Sequence, residues 1–108
     1  MNKQQAIELA QENSSLAYKA AQEFNASLVQ LLDLEVERSG ESKVPTDDGD
    51  LFLDPRSFTS DTDYFKYFEK NERGFWKGYT ADGGDINIAD MFHVSKHQLM
   101  KMLIERLK

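Results

Sequence analysis

Apolar residues recur at helical spacing through the first third of the chain, with glutamine, glutamate and lysine between them. This pattern predicts one long helix over residues 1–38, or two helices that separate at residues 13–15, where asparagine and serine follow one another. Two roles remain open for it: an ordinary core-facing helix pair, or a homodimer interface through its small residues. The apolar stripe comprises Ala10, Ala17, Ala20, Phe24, Leu28, Leu31 and Leu32.

Residues 39–60 are rich in glycine, proline and aspartate, which predicts an acidic loop between more regular segments. Within it, residues 51–53 predict a short strand or an anchored loop. The aspartate run 47–50 lacks the glycine and glutamate spacing of a helix-loop-helix calcium site. Acidic turn chemistry therefore explains this run better than calcium binding does.

Residues 61–71 predict a third, aromatic-rich helix with Ser60 or Asp61 at its N-terminus. Seven of the twelve aromatic residues lie between Tyr64 and Tyr79. Such a cluster is typical of a small hydrophobic core, for which Phe65, Phe68 and Trp76 are the candidates. Aromatic residues interleaved with bases over 73–79 leave a second role open, the stacking of single-stranded nucleic acid.

The clearest local signals predict a C-terminal helix that begins near Ser95. Ser95 and Gln98 have the spacing of a capping box, and Val94 and Leu99 that of a hydrophobic staple. One face of the predicted helix is apolar and consists of Leu99, Met102, Leu103 and Leu107.

The segment before this helix has two interpretations. In the first, Asp85 caps a helix of about two turns that ends near Phe92, with Ile88 and Ala89 facing inward. In the second, residues 82–85 form a hairpin turn after 75–79, and residues 85–92 are a strand. Periodicity alone does not separate the two for so short an apolar run.

Taken together, these elements predict a mainly α fold, with α+β as the alternative, in one domain of 108 residues. Its parts are a long N-terminal helix or helix pair, a central loop, an aromatic-rich helix, a small β-hairpin in the second interpretation, and a C-terminal helix. Cysteine is absent, which excludes disulfides and thiolate metal sites. The sequence shows neither a membrane-span pattern nor a secretory signal, so we expect a cytoplasmic protein without a membrane partner.

The run 88–99, Ile-Ala-Asp-Met-Phe-His-Val-Ser-Lys-His-Gln-Leu, resembles the helix-turn-helix family of DNA-binding proteins. The resemblance covers residues 85–107, and His93 stands where the family usually has glycine in the turn. It implies a DNA-binding regulatory protein in which the second helix enters the major groove. The residues that would contact DNA are Ser95, Lys96, His97, Gln98 and Lys101.

Charge is distributed unevenly, and this bears on the choice of partner. The formal net charge is −6, with +2 over residues 73–108 and −8 over residues 1–72. The basic end favours DNA, whereas the acidic part favours a basic protein surface. The second hypothesis is therefore an acidic protein–protein interaction module, such as the inhibitors or adaptors of phages and mobile elements. Its acidic residues include Asp47, Asp48, Asp50, Asp54, Asp61 and Asp63.

No combination of nucleophile, base and orienting acid emerges from the sequence, so neither enzymatic activity nor a cofactor is expected. Asp90, His93 and His97 have a spacing that a continuous helix would bring together as metal ligands. The turn proposed at His93 would separate them, and exposed polar residues are the simpler interpretation.

Overall fold

A computed structural model of the chain describes residues 2–15, 21–46, 52–53, 64–80, 83–91 and 93–108. These residues form three α-helices and an antiparallel sheet. The fold is therefore α+β, and the prediction of a mainly α protein is wrong. The sheet contains strands from parts of the chain that were expected to be loop or helix.

The N-terminal region forms a helix pair, α1 (Lys3–Ser15) and α2 (Ala21–Ser39). The side chains of Asn2 and Gln5 each accept a hydrogen bond from the other's backbone N–H, at 2.8 and 3.0 Å, which is a capping box. The first helix is described as far as Ser15, the last residue of the predicted weak point, and residues 16–20 lie outside the described residues. The second is followed by Gly40, whose φ of 75° permits its N–H to donate to the Val36 carbonyl oxygen at 2.9 Å.

The sheet consists of β1 (Lys43–Pro45), β2 (Phe52–Leu53), β3 (Tyr64–Lys70), β4 (Trp76–Thr80) and β5 (Asp85–Asn87). Its order is β1-β3-β4-β5, and β2 also pairs with β3; every pairing is antiparallel. The short strand predicted near residues 51–53 is confirmed as β2. The predicted helix over 61–71 is wrong in its described part, because residues 64–70 are the central strand.

A β-bulge in β3 explains why the sequence pattern of this strand predicts a helix. Phe65 pairs with Thr80 while Tyr67 pairs with Tyr79, so one extra residue lies between them on β3. The bulge shifts the alternation of side chains, and Phe65 and Phe68 are both buried on the same face. Two buried aromatic residues three positions apart mimic the period of a helix.

The segment before the last helix follows the hairpin interpretation as far as Asn87. Residues 85–87 pair with β4, and Ile88–Asp90 form a single 3₁₀ turn, to which the Asn87 side chain contributes by accepting a hydrogen bond from the Ala89 N–H at 3.0 Å. The helix predicted from Asp85 to near Phe92 is therefore wrong, and so is the inward placement of Ala89, which is exposed. Pairing with β4 therefore determines the conformation of residues 85–87, although Asp85 is a residue type that favours a helix N-cap.

The C-terminal helix is confirmed as α3 (His93–Leu107). It begins two residues earlier than expected, so Ser95 lies inside its first turn and not at the N-cap. His93 is part of the helix, and no described residue other than glycine has a positive φ. The strained turn expected at His93 does not form.

All three helices share one core with one face of the sheet. The helical stripes predicted from Ala10, Phe24, Leu28, Leu31, Leu32, Leu99, Met102, Leu103 and Leu107 are buried, as are the predicted core aromatics Phe65, Phe68 and Trp76. The side chains of Ala17 and Ala20 lie outside the described residues. Asp33 of α2 ties the layers together, because its Oδ1 accepts hydrogen bonds from the Trp76 indole N–H at 3.0 Å and the Lys70 ammonium at 3.2 Å.

None of the helices in the described part of the chain has both the length and the apolarity needed to cross a bilayer. The second face of the sheet lies on the side opposite the three helices.

Candidate interaction surface

The residues predicted to contact DNA do not share one exposed face of α3. Ser95 and Lys96 are buried, with 1% and 7% of their surface exposed, and His97 is half-buried with its ring 4.7 Å from that of Phe24. Only Gln98 and Lys101 are exposed. The expectation that all five line an accessible surface is therefore wrong, because α3 turns this side toward α2.

The Lys96 side chain is held by hydrogen bonds within the protein. Its ammonium group donates hydrogen bonds to Asn25 Oδ1 at 3.2 Å and to the Ala89 carbonyl oxygen at 3.3 Å. Burial lowers the pKa of Lys96 below its usual range, and the nearby Asp90 carboxylate opposes this shift. The side chain thus connects α3 with α2 and with the 3₁₀ turn, and it is not available to phosphate.

A second charged group is buried between the same two helices. Glu35 of α2 is paired through Oε1 with Arg38 at 2.6 Å, and its Oε2 lies 3.9 Å from Arg106 of α3. Its Oε2 has no hydrogen-bond partner within 3.5 Å. The arrangement buries the Glu35 carboxylate between α2 and α3, while Arg38 remains about half exposed at the edge of the pair, at 49%.

A second predicted binding surface is the acidic one proposed for a basic protein partner. The acidic residues proposed as a partner-binding surface, Asp47, Asp48, Asp50, Asp54, Asp61 and Asp63, lie outside the described residues.

Of the suggested metal ligands, Asp90 is in the 3₁₀ turn, whereas His93 and His97 are in α3. Among the residues that the structure describes, no group of three or more histidine, aspartate or glutamate side chains could hold a metal ion.

The apolar stripe suggested as a homodimer interface is used within the chain where it is described. Ala10, Phe24 and Leu28 lie in the core with α3 and the sheet. The small residues of this stripe, Ala17, Ala20 and Ala21, are not among those whose side chains the structure describes.

The sheet has a second face on the side opposite the described helices, which we call the open face. Strand register places its side chains in two rows that cross the sheet, because side chains of paired residues lie on the same face. The charged row is Lys43, Glu69, Lys77 and Asn87, and the tyrosine row is Pro45, Tyr67, Tyr79 and Asp85.

The centre of the open face is a stacked column of aromatic rings. The Tyr67 and Tyr79 ring centroids are 4.8 Å apart with 13° between the ring planes. The Lys43 ammonium lies over the Tyr67 ring, 4.5 Å from its centroid. At the far side of the sheet, the Lys77 ammonium lies 3.3 Å from Asp85 Oδ2. Both tyrosines are half-buried, so each ring is partly packed against its neighbours and partly in contact with solvent.

The β3–β4 turn extends this surface at one end with an exposed aromatic residue. Asn71 Oδ1 accepts hydrogen bonds from the backbone N–H groups of Arg73 and Phe75, both at 2.9 Å, and Gly74 supplies a φ of 86°. Alternation along β4 places Phe75 on the side of Lys77 and Tyr79. The Phe75 side chain is 56% exposed on a turn that is held rigidly by its own hydrogen bonds.

The sequence predicts the aromatic cluster of residues 64–79 but not its division between the two faces of the sheet. A usable signal was the alternation Trp76-Lys77-Gly78-Tyr79-Thr80, in which the first, third and fifth residues are buried. That pattern assigns Lys77 and Tyr79 to the opposite face from Trp76. The partner Tyr67 was hidden by the bulge, which disturbs the same alternation on β3.

Comparison with protein-family models, with curated protein sequences and with solved structures finds no match to this chain.

Proposed function

We propose that this chain is a non-enzymatic protein–protein interaction module that binds its partner through the open face. The observation that carries the proposal is the Tyr67–Tyr79 column, a stacked and partly exposed aromatic pair on the sheet face that none of the described helices covers. Tyrosine is enriched at protein interfaces because it offers a large contact area at low cost in conformational entropy. The exposed Phe75 enlarges the apolar part of the same surface.

The column favours a protein partner over single-stranded nucleic acid. Single-stranded nucleic acid stacks successive bases on several free aromatic faces, whereas Tyr67 already has Tyr79 on one side and a lysine ammonium near its ring, which leaves the column only the outer face of Tyr79. The charged row contains both signs, and the whole chain has a net charge of −6, which repels phosphate. A protein surface is the better match for such a mixed and partly apolar patch.

Double-stranded DNA remains a prediction from the sequence resemblance, but the geometry supports it less. Lys96 is engaged in the interior, which leaves Lys101 and Gln98 on the relevant part of α3. We expect a fluorescent DNA duplex to show little binding at low salt, and Lys101→Glu to leave that signal unchanged. Saturable binding that Lys101→Glu abolishes would restore the DNA hypothesis.

The proposal itself is tested by comparing which proteins three immobilised forms of the chain retain from extract of the source cells. The forms are the wild type, Tyr67→Ser/Tyr79→Ser, and the control Gln4→Ser/Gln11→Ser, which alters two exposed residues of α1. We expect at least one protein that the wild type and the control retain and the tyrosine variant loses. Equal retention by all three forms, each verified as folded by circular dichroism, would refute a role for the open face.

An acidic module that acts as an inhibitor or adaptor in the cytoplasm, as mobile elements encode, fits this proposal. Among the described residues, α1 contains two acids and one base, and α2 contains four acids and one base. This excess provides a negative field that would attract a basic partner at long range.

A further inference from the structure

We infer that the outer end of the tyrosine column, formed by Tyr79 and Asp85, binds an arginine side chain of a basic partner segment. This inference depends on the proposed function, and it adds the chemistry of the partner. The site needs an aromatic face and a carboxylate side by side, which together suit the planar guanidinium group. The open face has that combination at one place in its tyrosine row.

Strand pairing brings the two groups together. Tyr79 of β4 is directly opposite Asp85 of β5, and residues in that relation have their Cβ atoms about 4.5–5.5 Å apart. Tyr67 occupies the other neighbouring position of Tyr79, on β3. Within the described part of the chain, Tyr67 is the one aromatic contact of the Tyr79 ring. The ring face directed toward β5 is therefore the face next to the carboxylate.

The opposite end of the column demonstrates that these rings attract a cation. Lys43 comes from a different strand, and its ammonium lies 4.5 Å from the centroid of the Tyr67 ring. The column thus has one end occupied by a cation of its own chain. Its other end has the same ring chemistry and adds a carboxylate, so it is the stronger cation site of the two.

Lys77 competes with the arginine for the Asp85 carboxylate, but the Lys77–Asp85 ion pair is weak. The Lys77–Asp85 contact is a single ammonium–oxygen distance of 3.3 Å, and the Asp85 side chain is about half exposed, at 48%. Exposed pairs of this kind contribute little to stability. An arginine can bond both carboxylate oxygens while its plane stacks on the tyrosine, which a lysine cannot do. Lys77 is therefore displaced readily and acts as an internal competitor.

Charge complementarity supports a basic occupant. The chain has a formal net charge of −6, and the helices on the other side of the sheet contribute an excess of acids. A basic segment is drawn toward the molecule as a whole, and the tyrosine row gives it a specific position. An acidic segment would meet the opposite field.

The probe is a blocked peptide of alternating glycine and arginine, compared with its lysine and citrulline counterparts, titrated into isotope-labelled protein and followed by NMR. We expect saturable shifts at Tyr79, Asp85 and their neighbours with the arginine peptide, weaker binding with lysine, and none with neutral citrulline. Shifts confined to α1 and α2, or no saturable shifts at all, would overturn the inference.

Two matched variants distinguish binding at the Tyr79–Asp85 site from attraction by the overall negative charge of the protein. Asp85→Asn should weaken arginine-peptide binding about threefold or more, whereas Glu37→Gln, which removes the same charge from an exposed position of α2, should change it less. Equal effects of the two variants would mean that the peptide senses only net charge, and would overturn the inference.

Removal of the internal competitor should have the opposite effect. Lys77→Ala should strengthen arginine-peptide binding more than Lys101→Ala does, because only Lys77 contacts Asp85. Equal changes, or weaker binding after Lys77→Ala, would contradict the site. If these peptide tests fail while Tyr67→Ser/Tyr79→Ser still loses a partner protein from extract, the open face remains the binding surface and only the arginine chemistry is wrong.

Discussion

The two faces of the sheet hold neighbouring residues of the same strand in very different surroundings. On β3, Phe68 is fully buried against the helices, while Tyr67 on the open face stacks on Tyr79 and remains partly in solvent. On β4, Gly78 lies against Phe65 and Phe68, while Lys77 reaches an exposed carboxylate. The covered face contains the buried core residues, and the open face keeps aromatic and charged side chains in contact with solvent. Substitutions of adjacent residues can test this division directly.

The largest expected contrast is between Phe68→Ala and Tyr67→Ala. The first leaves a cavity in the core and should cost about 3–5 kcal/mol of unfolding free energy. The second removes one ring of a partly exposed stack and should cost about 1 kcal/mol. Urea unfolding followed by Trp76 fluorescence measures both. Similar losses for the two variants would show that the open face is also needed for folding.

A smaller contrast is expected between Gly78→Ala and Lys77→Ala. A Cβ atom at Gly78 would lie 2.7 Å from Phe65 Cδ1 and 2.8 Å from Phe68 Cε1, so rings on the covered face must move. We expect Gly78→Ala to cost about 1–3 kcal/mol, and Lys77→Ala less than about 1 kcal/mol.

A second substitution locates the clash. In a Phe65→Leu background, Gly78→Ala should cost less than it does in the wild type, because the shorter side chain clears the closest contact. Thermal unfolding of the four proteins provides the measurement. Strict additivity of the two changes would mean that the clash with Phe65 is not the cause.

The smallest contrast concerns two lysines, one buried and one on the open face. Lys96→Met removes the donor to Asn25 and to the Ala89 carbonyl and should cost about 1 kcal/mol. Lys77→Met should cost less than about 0.5 kcal/mol, because its ion pair is exposed. Chemical denaturation at neutral pH distinguishes these values.

The pH dependence gives the buried lysine a separate signature. Burial lowers the pKa of Lys96 in the folded state below its ordinary value of 10.5. Between those two pKa values the unfolded chain binds more protons, so stability rises with pH in that window. The wild type should therefore gain stability relative to Lys96→Met as the pH is raised toward 10.5. Parallel pH profiles for the two proteins would contradict this assignment.

The helices were predictable from the sequence because their signals are local. The apolar stripe of α2 and the core face of α3 follow from side-chain spacing within a few turns. The sheet was less predictable, since a strand is stabilised by partners distant in sequence. For example, Val44 of β1 pairs with Phe68 of β3, and no local pattern announces this.

The candidate site was missed for two related reasons. The bulge between Phe65 and Tyr67 gave β3 a helix-like pattern, which concealed the outward direction of Tyr67. The resemblance of residues 88–99 to a DNA-binding motif predicts a functional surface on α3 instead, but Lys96 of that helix donates a hydrogen bond to Asn25. Whether a lysine on an amphipathic helix faces solvent or a neighbouring helix depends on tertiary packing, which the sequence of that helix does not contain.

The turn closed by Asn71 also has a consequence for how the chain folds. It joins β3 and β4 through five residues, so this hairpin requires the closure of only a short loop, whereas the pairing of β1 with β3 joins residues more than twenty positions apart. Local hairpins form within microseconds, and pairings of long sequence separation follow more slowly. We therefore expect the Asn71 hairpin to form early and to provide the edge on which β1 is later added.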